Sequence, residues 1–381
     1  MEKNFRKLAS IQKIDEIKPH NNADSLELAK IGGWQVVVKK SEFKSGDLCV
    51  YCEIDCLLPE RPEFEFLRSK HFRIKTTKLR GEISQGIAFP LSILEGLSDG
   101  FLKFENKGYY YSDEKIIGIE VTEKLGIKKY EPTISPQLMG MAKGNFPTHL
   151  LPKSDEERLQ SRMKLLEEMK DKLCYITLKE DGTSFTAYHI IEEDMTPEIM
   201  SLTQRVGVCS RNLELKEEAF PGSTINIYWK IARQYDIENK LKQFYKDTGK
   251  NIGIQGEITG DGIGGNKLGL SRNTTQLHLF NVFFIDEHRY ANYSEFISIS
   301  SILDIPTVKI LYFGKFNFTL EQLLKMAEGK YLGTQNYKEG IVIRPTEECF
   351  SEALQGRLSF KVINNEYLLK EDEKLPTFIA E

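Results

Sequence analysis

The sequence predicts an α+β chain of two domains, a small N-terminal β-barrel followed by a larger domain of antiparallel sheets with flanking helices. Three observations predict it. Up to about residue 130, short β-rich runs alternate with turn signals and no long helical period occurs. Between 130 and 152, Pro132, Pro136, Pro147 and Pro152 crowd together with Gly140 and Gly144, a linker composition. Beyond that, runs of strand length alternate with stretches of helical period. A chain of 381 residues is long for one ordinary domain and sufficient for two, each able to bury a core. The expected division is residues 1–135 and 136–381.

In the first domain the strands are Trp34-Gln35-Val36-Val37-Val38 and Leu48-Cys49-Val50-Tyr51-Cys52, punctuated by Gly32-Gly33 and Ser45-Gly46-Asp47. Short strands at such spacing suit a small barrel. In the second domain Ser154-Asp155-Glu156-Glu157 has the form of a capping box, and Leu159, Met163, Leu166 and Met169 follow at helical spacing, so a helix is expected there. A second helical stretch covers 223–247, with Gly249 as its C-cap. Strands are expected at 174–178, 185–190, 252–258, 277–285, 340–344 and 358–363, mostly antiparallel.

Hydrophobic residues are 40% and charged residues 28% of the chain, a balance ordinary for a soluble globular protein. A net charge of -4 means that any nucleic-acid contact must come from local patches. Residues 1–10 are polar and lack the apolar core of a signal peptide, and no apolar run reaches the length of a membrane span. The expectation is a cytoplasmic or other intracellular protein with reduced thiols, not a secreted or membrane one. Cys49, Cys52 and Cys56 invite a zinc reading. No second Cys or His pair stands at finger spacing, and the region reads as strand, so buried thiols are expected instead.

The chemistry centres on Leu178-Lys179-Glu180-Asp181-Gly182-Thr183-Ser184. A lysine ends an apolar strand and a carboxylate and a glycine turn follow it. Such a lysine becomes a nucleophile when desolvation or a nearby cation takes its proton. Alone the tetrapeptide is a common turn. Its company gives it meaning: Ser210-Arg211-Asn212, Gln255-Gly256-Glu257-Ile258, Leu279-Phe280-Asn281-Val282, Lys338-Glu339-Gly340-Ile341-Val342-Ile343-Arg344 and Leu358-Ser359-Phe360-Lys361-Val362, in that order. One competing pattern, Gly260-Asp261-Gly262-Ile263-Gly264-Gly265, matches a dinucleotide fingerprint, but Asn266-Lys267-Leu268-Gly269 continues it as loop rather than helix. It is not a phosphate-binding P-loop either, because Asn266 interrupts the Gly-Lys pair.

The ordered series resembles the motifs of the covalent nucleotidyltransferases, which include ATP-dependent ligases and capping enzymes. The resemblance implies that Lys179 takes AMP from ATP. It implies that Asp181 and Glu339 organise a divalent cation, Mg²⁺ or Mn²⁺, and that Arg211 and Glu257 hold the ribose. Phe280, or else Phe283 or Phe284, would stack on adenine, and Lys361 would stabilise charge on the α-phosphate. Many relatives carry two lysines two residues apart in the last motif. Here Ser359 and Ile363 stand at that spacing from Lys361, so either one lysine suffices or another cation supplies the second charge, with Arg357 and Lys370 as candidates.

Pro19-His20-Asn21-Asn22-Ala23-Asp24-Ser25-Leu26-Glu27 resembles a segment of OB-type tRNA-binding modules. With the β-rich domain first and the last motif near the end, nearly the whole chain is similar to RNA ligase family five, the OB-first RNA ligases. That implies an OB-fold ahead of an adenylyltransferase domain, and a monomer that seals 3′-hydroxyl and 5′-phosphate ends of nicked or template-bridged RNA. Independently of the resemblance, Arg68, Lys70, Arg73, Lys75, Lys78 and Arg80 form a basic strip with Phe72 among them. Arg73, Lys75, Lys78 and Arg80 are the candidate RNA contacts, holding phosphates rather than reading bases. The alternatives are a DNA ligase or GTP-dependent capping enzyme, and a non-catalytic RNA-binding protein.

Overall fold

Alternation in the first domain puts Trp34, Val36 and Val38 on one face, and in the computed structural model these three are buried while Gln35 and Val37 are half-buried. The structure describes residues 8–94, 116–130, 134, 136–196, 199–220 and 222–374. Residues 1–7, Pro132 and the expected boundary at 135 lie outside them.

The chain forms two compact units. The first takes Met1–Pro132, Leu159–Met163 and Asn365–Glu381, and the second takes Thr133–Arg158 and Lys164–Asn364. This differs from a single cut at 135, because two later segments return to the first unit. The first unit contains a sheet of Ala9–Lys13, Leu48–Cys52 and Ile87–Pro90, a second of Glu16–Pro19, Leu26–Ile31 and Trp34–Lys39, and a hairpin of Thr76–Leu79 and Glu82–Gln85. All of these strands pair antiparallel. They enclose one apolar core that includes Ile11, Trp34, Cys49, Val50, Phe64 and Phe72, against which Leu368 of the helix Asn365–Lys374 also packs. Cys49 and Cys52 are core residues, and burial pushes the Cys49 thiol up to about 12.

The second unit holds a five-stranded sheet in the order Glu157–Arg158, Phe360–Ile363, Gly340–Pro345, Leu173–Lys179, Ile310–Lys315. It also holds a seven-stranded sheet whose central strands are Ile199–Cys209, Thr183–Thr196, Ile252–Gly260 and Thr275–Phe284. Apart from the parallel pair Glu157–Arg158 with Phe360–Lys361, the neighbours are antiparallel. The helices Ile227–Gln234 and Ile237–Thr248 cover the larger sheet through Tyr228, Ile231, Leu241 and Phe244.

Two helical expectations need correction. The stretch 223–247 is two helices, because Asp236 adopts φ 51 between them, whereas Gly249 does end the second with φ 68. The stretch 154–169 is not one helix. Glu157–Arg158 is a strand, Leu159–Ser161 a 3-10 turn, and only Leu165–Met169 is α-helical. Glu157, the acid that would have capped a helix, pairs instead with Phe360 at a sheet edge.

Candidate active site

The strand Leu173–Lys179 lies between Gly340–Pro345 and Ile310–Lys315, and its middle residues Cys174, Tyr175, Ile176 and Thr177 are buried. Burial on both faces explains the near-continuous apolar run. Its end is less covered, so Lys179 emerges there. The next three residues carry the chain from this sheet into the larger one, where Thr183 pairs with Ile258 and Ser184 with Glu257. Gly182 makes the crossing possible: a Cβ there would come within 2.1 Å of the Ile258 carbonyl oxygen. On the other side Lys179 pairs with Gly340, where φ is +158 and a Cβ would meet the Val362 oxygen at 2.2 Å. These two close approaches set Glu257 and Glu339 beside the lysine.

One phenol ties the pieces together. The Tyr331 hydroxyl accepts from the backbone N–H of Asp181 at 3.1 Å and of Glu339 at 3.2 Å, and donates to the Lys179 carbonyl at 3.1 Å. Gly182 N–H donates to Glu257 Oε1 at 3.1 Å. Lys179 Nζ donates to Glu339 Oε2 at 2.7 Å. Burial pulls the Lys179 pKa down, but Glu339 and Glu257, with a smaller contribution from Glu156, outweigh it, so the amine is held above its ordinary value. Burial pushes the Glu257 carboxyl up to about 8; Glu339 and Asp181 add to that, while Lys179 and the Gly182 N–H oppose it.

A second set of cations is gathered by Asp155 and Glu156. Asp155 contacts Arg211 at 3.2 Å through Oδ2 and Lys361 at 3.3 Å through Oδ1. Glu156 Oε1 meets Arg344 at 2.5 Å and accepts from the Ser359 hydroxyl at 3.1 Å. Burial would raise the Glu156 carboxyl, but Arg344, Arg357 and Lys361 outweigh it and hold it at about 2. The parallel pairing of Arg158 with Lys361 fixes this segment against the last motif. Ser359, one of the two residues that flank Lys361 at a spacing of two, thus bonds Glu156 and also accepts from Arg344 Nε at 3.2 Å.

Phe280 shares a strand face with His278, whose Nδ1 lies 2.7 Å from Glu180 Oε2 in the turn after Lys179. Phe280 is half-buried, whereas Phe283 and Phe284 are buried at 2% and 4%, so of the three Phe280 keeps the most open ring. Arg357 bonds Glu348 and Asn281 and stacks on Tyr290 at 3.8 Å, and Lys370 belongs to the helix Asn365–Lys374 of the first unit. Arg357 also acts with Lys361 in lowering the Glu156 carboxyl.

An OB-fold domain model matches residues 8–91, and an RNA ligase model matches residues 172–363. One curated relative, the phenylalanine–tRNA ligase beta subunit of Wolbachia sp. subsp. Brugia malayi (strain TRS), is 28% identical over 127 residues, which are 30% of this chain and 15% of that protein. The chain therefore spans only a small part of that relative's length. Among solved structures, an apo lysine variant of Naegleria gruberi RNA ligase is 33% identical at a TM-score of 0.77, covering 97% of this chain and 100% of that one. The same ligase with PPi is 34% identical at 0.77, covering 97% and 100%. A glutamate variant of it with AMP and Mn is 34% identical at 0.77, covering 96% and 100%. The chain belongs to the RNA ligase family.

In this RNA ligase Asp181 Oδ2 is buried and lies 3.1 Å from Lys267 Nζ. Among the described residues no three His, Cys, Asp or Glu side chains form a preformed metal cage. Asp181 and Glu339 nevertheless supply oxygen donors of the type Mg²⁺ or Mn²⁺ takes, and an ion with few protein ligands keeps several waters. The donor set therefore fits a sparsely liganded, largely hydrated ion.

In the first unit the basic strip needs correction. Phe72 is a core residue at 6% exposure, with Arg68 over its ring at 5.2 Å, so it has no face for a base. Arg68 pairs with Glu60 and Glu65. Arg73 is half-buried, pairs with Asp55 at 3.2 Å and stacks on Tyr130 at 3.7 Å. Lys75 is half-buried, and Lys70, Lys78 and Arg80 are exposed, the last two on the hairpin Thr76–Gln85, where Lys78 meets Glu366 at 3.5 Å. Sequence reasoning missed Tyr331, His278, Lys267 and the role of Asp155 and Glu156. The first three have no motif spacing. The last two carried a signal that a helix cap explains equally well.

Proposed function

We propose that this RNA ligase joins RNA ends with ATP through a lysyl-AMP intermediate on Lys179. The carrying observation is the convergence of Lys179, Glu339 and Glu257 at one strand end, held by Tyr331 and Gly182. Lys179 Nζ attacks the α-phosphorus, the P–N bond forms, and the bond to pyrophosphate breaks. The amine must first give up the proton that Glu339 and Glu257 favour. A bound divalent cation supplies positive charge that lowers the lysine pKa and offsets charge on the phosphates. Arg211 and Glu257 hold the ribose, Phe280 stacks on adenine, and Lys361 neutralises the α-phosphate. AMP then passes to the RNA 5′-phosphate, and the 3′-hydroxyl displaces it to form the phosphodiester. Positioning and charge neutralisation carry such transfers, which suits a site with few acid–base groups. Asp155 positions Arg211 and Lys361 before the nucleotide arrives.

In the first unit, Lys78 and Arg80, with Lys70 and Lys75, hold RNA phosphates; Arg73 supports that surface from behind through Asp55 and Tyr130. The test is incubation with α-labelled ATP, and separately GTP, with Mg²⁺ or Mn²⁺, followed by a denaturing gel. A covalent band with ATP that is lost in Lys179→Ala is expected. A band with GTP instead points to a capping enzyme, and no band with either nucleotide points to an RNA-binding protein without catalysis. Sealing of all-DNA nicks in preference to RNA would favour a DNA ligase.

A further inference from the structure

The glycine-rich stretch after Gly260 is neither a dinucleotide fingerprint nor a P-loop, yet it is tightly built. Asn266 closes it by donating through Nδ2 to the Leu270 carbonyl at 2.7 Å and accepting from Leu270 N–H at 2.9 Å. Asn336 Nδ2 donates to the Lys267 carbonyl at 2.9 Å, fixing the backbone from a second segment. This frame delivers Lys267, only 8% exposed, to Asp181. Lysine is almost never buried unless its charge is paired. Here the pair is with the carboxylate two residues past the nucleophile. Nζ lies 3.1 Å from Oδ2, and the contact is one of charge without hydrogen-bond alignment at that oxygen.

We propose that Lys267 is a positioning residue that holds Asp181 in the metal-free ligase and competes with the divalent cation for it. The inference rests on the reading of Asp181 as a metal-organising carboxylate. A dication drawn to Asp181 and the Lys267 ammonium repel each other at this range, so entry of the ion requires Nζ to withdraw along its flexible stem. The loop thereby raises the cation concentration at which the site fills. It also keeps the buried carboxylate paired when no ion is present.

The test titrates the nucleotide-free, full-length protein with Mn²⁺ and reads free Mn²⁺ by electron paramagnetic resonance. Lys267→Met keeps the apolar stem and removes the competing charge, and is expected to bind Mn²⁺ about tenfold more tightly. Lys267→Arg keeps the charge and is expected to bind like the parent, and Lys267→Gln repeats the comparison if the methionine variant does not fold. Unchanged or weaker binding in the uncharged variants, with binding still lost in Asp181→Asn, overturns this proposal alone. Binding that survives Asp181→Asn undiminished places the ion elsewhere and overturns the metal reading of Asp181 with it. The lysyl-AMP yield against Mn²⁺ is expected to shift to lower concentration in Lys267→Met by the same factor.

Discussion

The pairing of Lys179 with Glu339 sets the protonation problem of this site. The carboxylate at 2.7 Å and its neighbour Glu257 overcome burial and hold the amine protonated at neutral pH. The free base, which attacks phosphorus in the mechanism we propose, is then the minor form, and its fraction grows about tenfold per pH unit. Lysyl-AMP formation is therefore expected to rise with pH. In Glu339→Gln the leading upward influence is gone, so the rising limb of the initial rate, measured at fixed metal and saturating ATP, should move to lower pH even though the maximum falls. A limb that stays in place would mean that a group other than Lys179 limits the rate. Several of these residues were legible in the sequence because turn, strand end and carboxylate recur in a fixed order. Tyr331 was not, since its work is done by one hydroxyl against three backbone groups far apart in the chain. Lys267 was hidden for the opposite reason: it sits in a loop whose glycines suggest other chemistries.

The segment 154–158 shows how an element can carry a correct local signal and still fold otherwise. Ser154-Asp155-Glu156-Glu157 has the same form as the boxes that do cap the helices at Asn292 with Glu295 and at Thr319 with Gln322. At those two helices the acid or amide turns back to its own cap. Here Glu157 joins a sheet edge, and the intervening Asp155 and Glu156 meet Arg211, Arg344 and Lys361, the last 206 residues from Asp155. Short-range pattern loses here to buried charge. The strands 174–178 and 252–258 were legible because each is a short β-rich run of strand length, and nearly every residue of both is buried. Glu156 makes the segment's energetic role measurable. Its folded pKa, about 2, is below the usual 4.5, so its contribution to stability is present above pH about 4.5 and is lost as pH falls toward 2. Glu156→Ala leaves the Arg344 guanidinium, 1% exposed, without that partner. A loss of about 3–5 kcal/mol at neutral pH is expected in denaturant melts, and the gap from the parent should narrow as the pH drops below 4.5. An unchanged midpoint would show that Ser359 and water suffice for the arginine.

At the scale of the whole molecule, sequence composition suggested a linker over 130–152, yet Ala142–Asn145 pairs with Leu213–Leu215 and Phe146 and Leu151 are buried; nor could it show that Leu159–Met163 and Asn365–Glu381 return to the first unit, because a return is a property of packing, not of pattern. The proposed RNA surface of that unit predicts a salt signature. Replacing Lys78 and Arg80 by alanine should weaken RNA binding, lower the slope of log affinity against log salt by about 1 per cation, and leave lysyl-AMP formation intact. Equal slopes in parent and variant would remove these residues from the interface. The strand that bears Lys179 has a further consequence. Both of its neighbours in the sheet, Ile310–Lys315 and Gly340–Pro345, lie later in the chain. During synthesis at roughly 5–20 residues per second, the first of them emerges on the order of ten seconds after Lys179. For that interval an apolar ribbon with unmatched edges waits beside the ribosome, open to pairing with another nascent chain, and the surroundings of Lys179 are complete only when both later strands have been made.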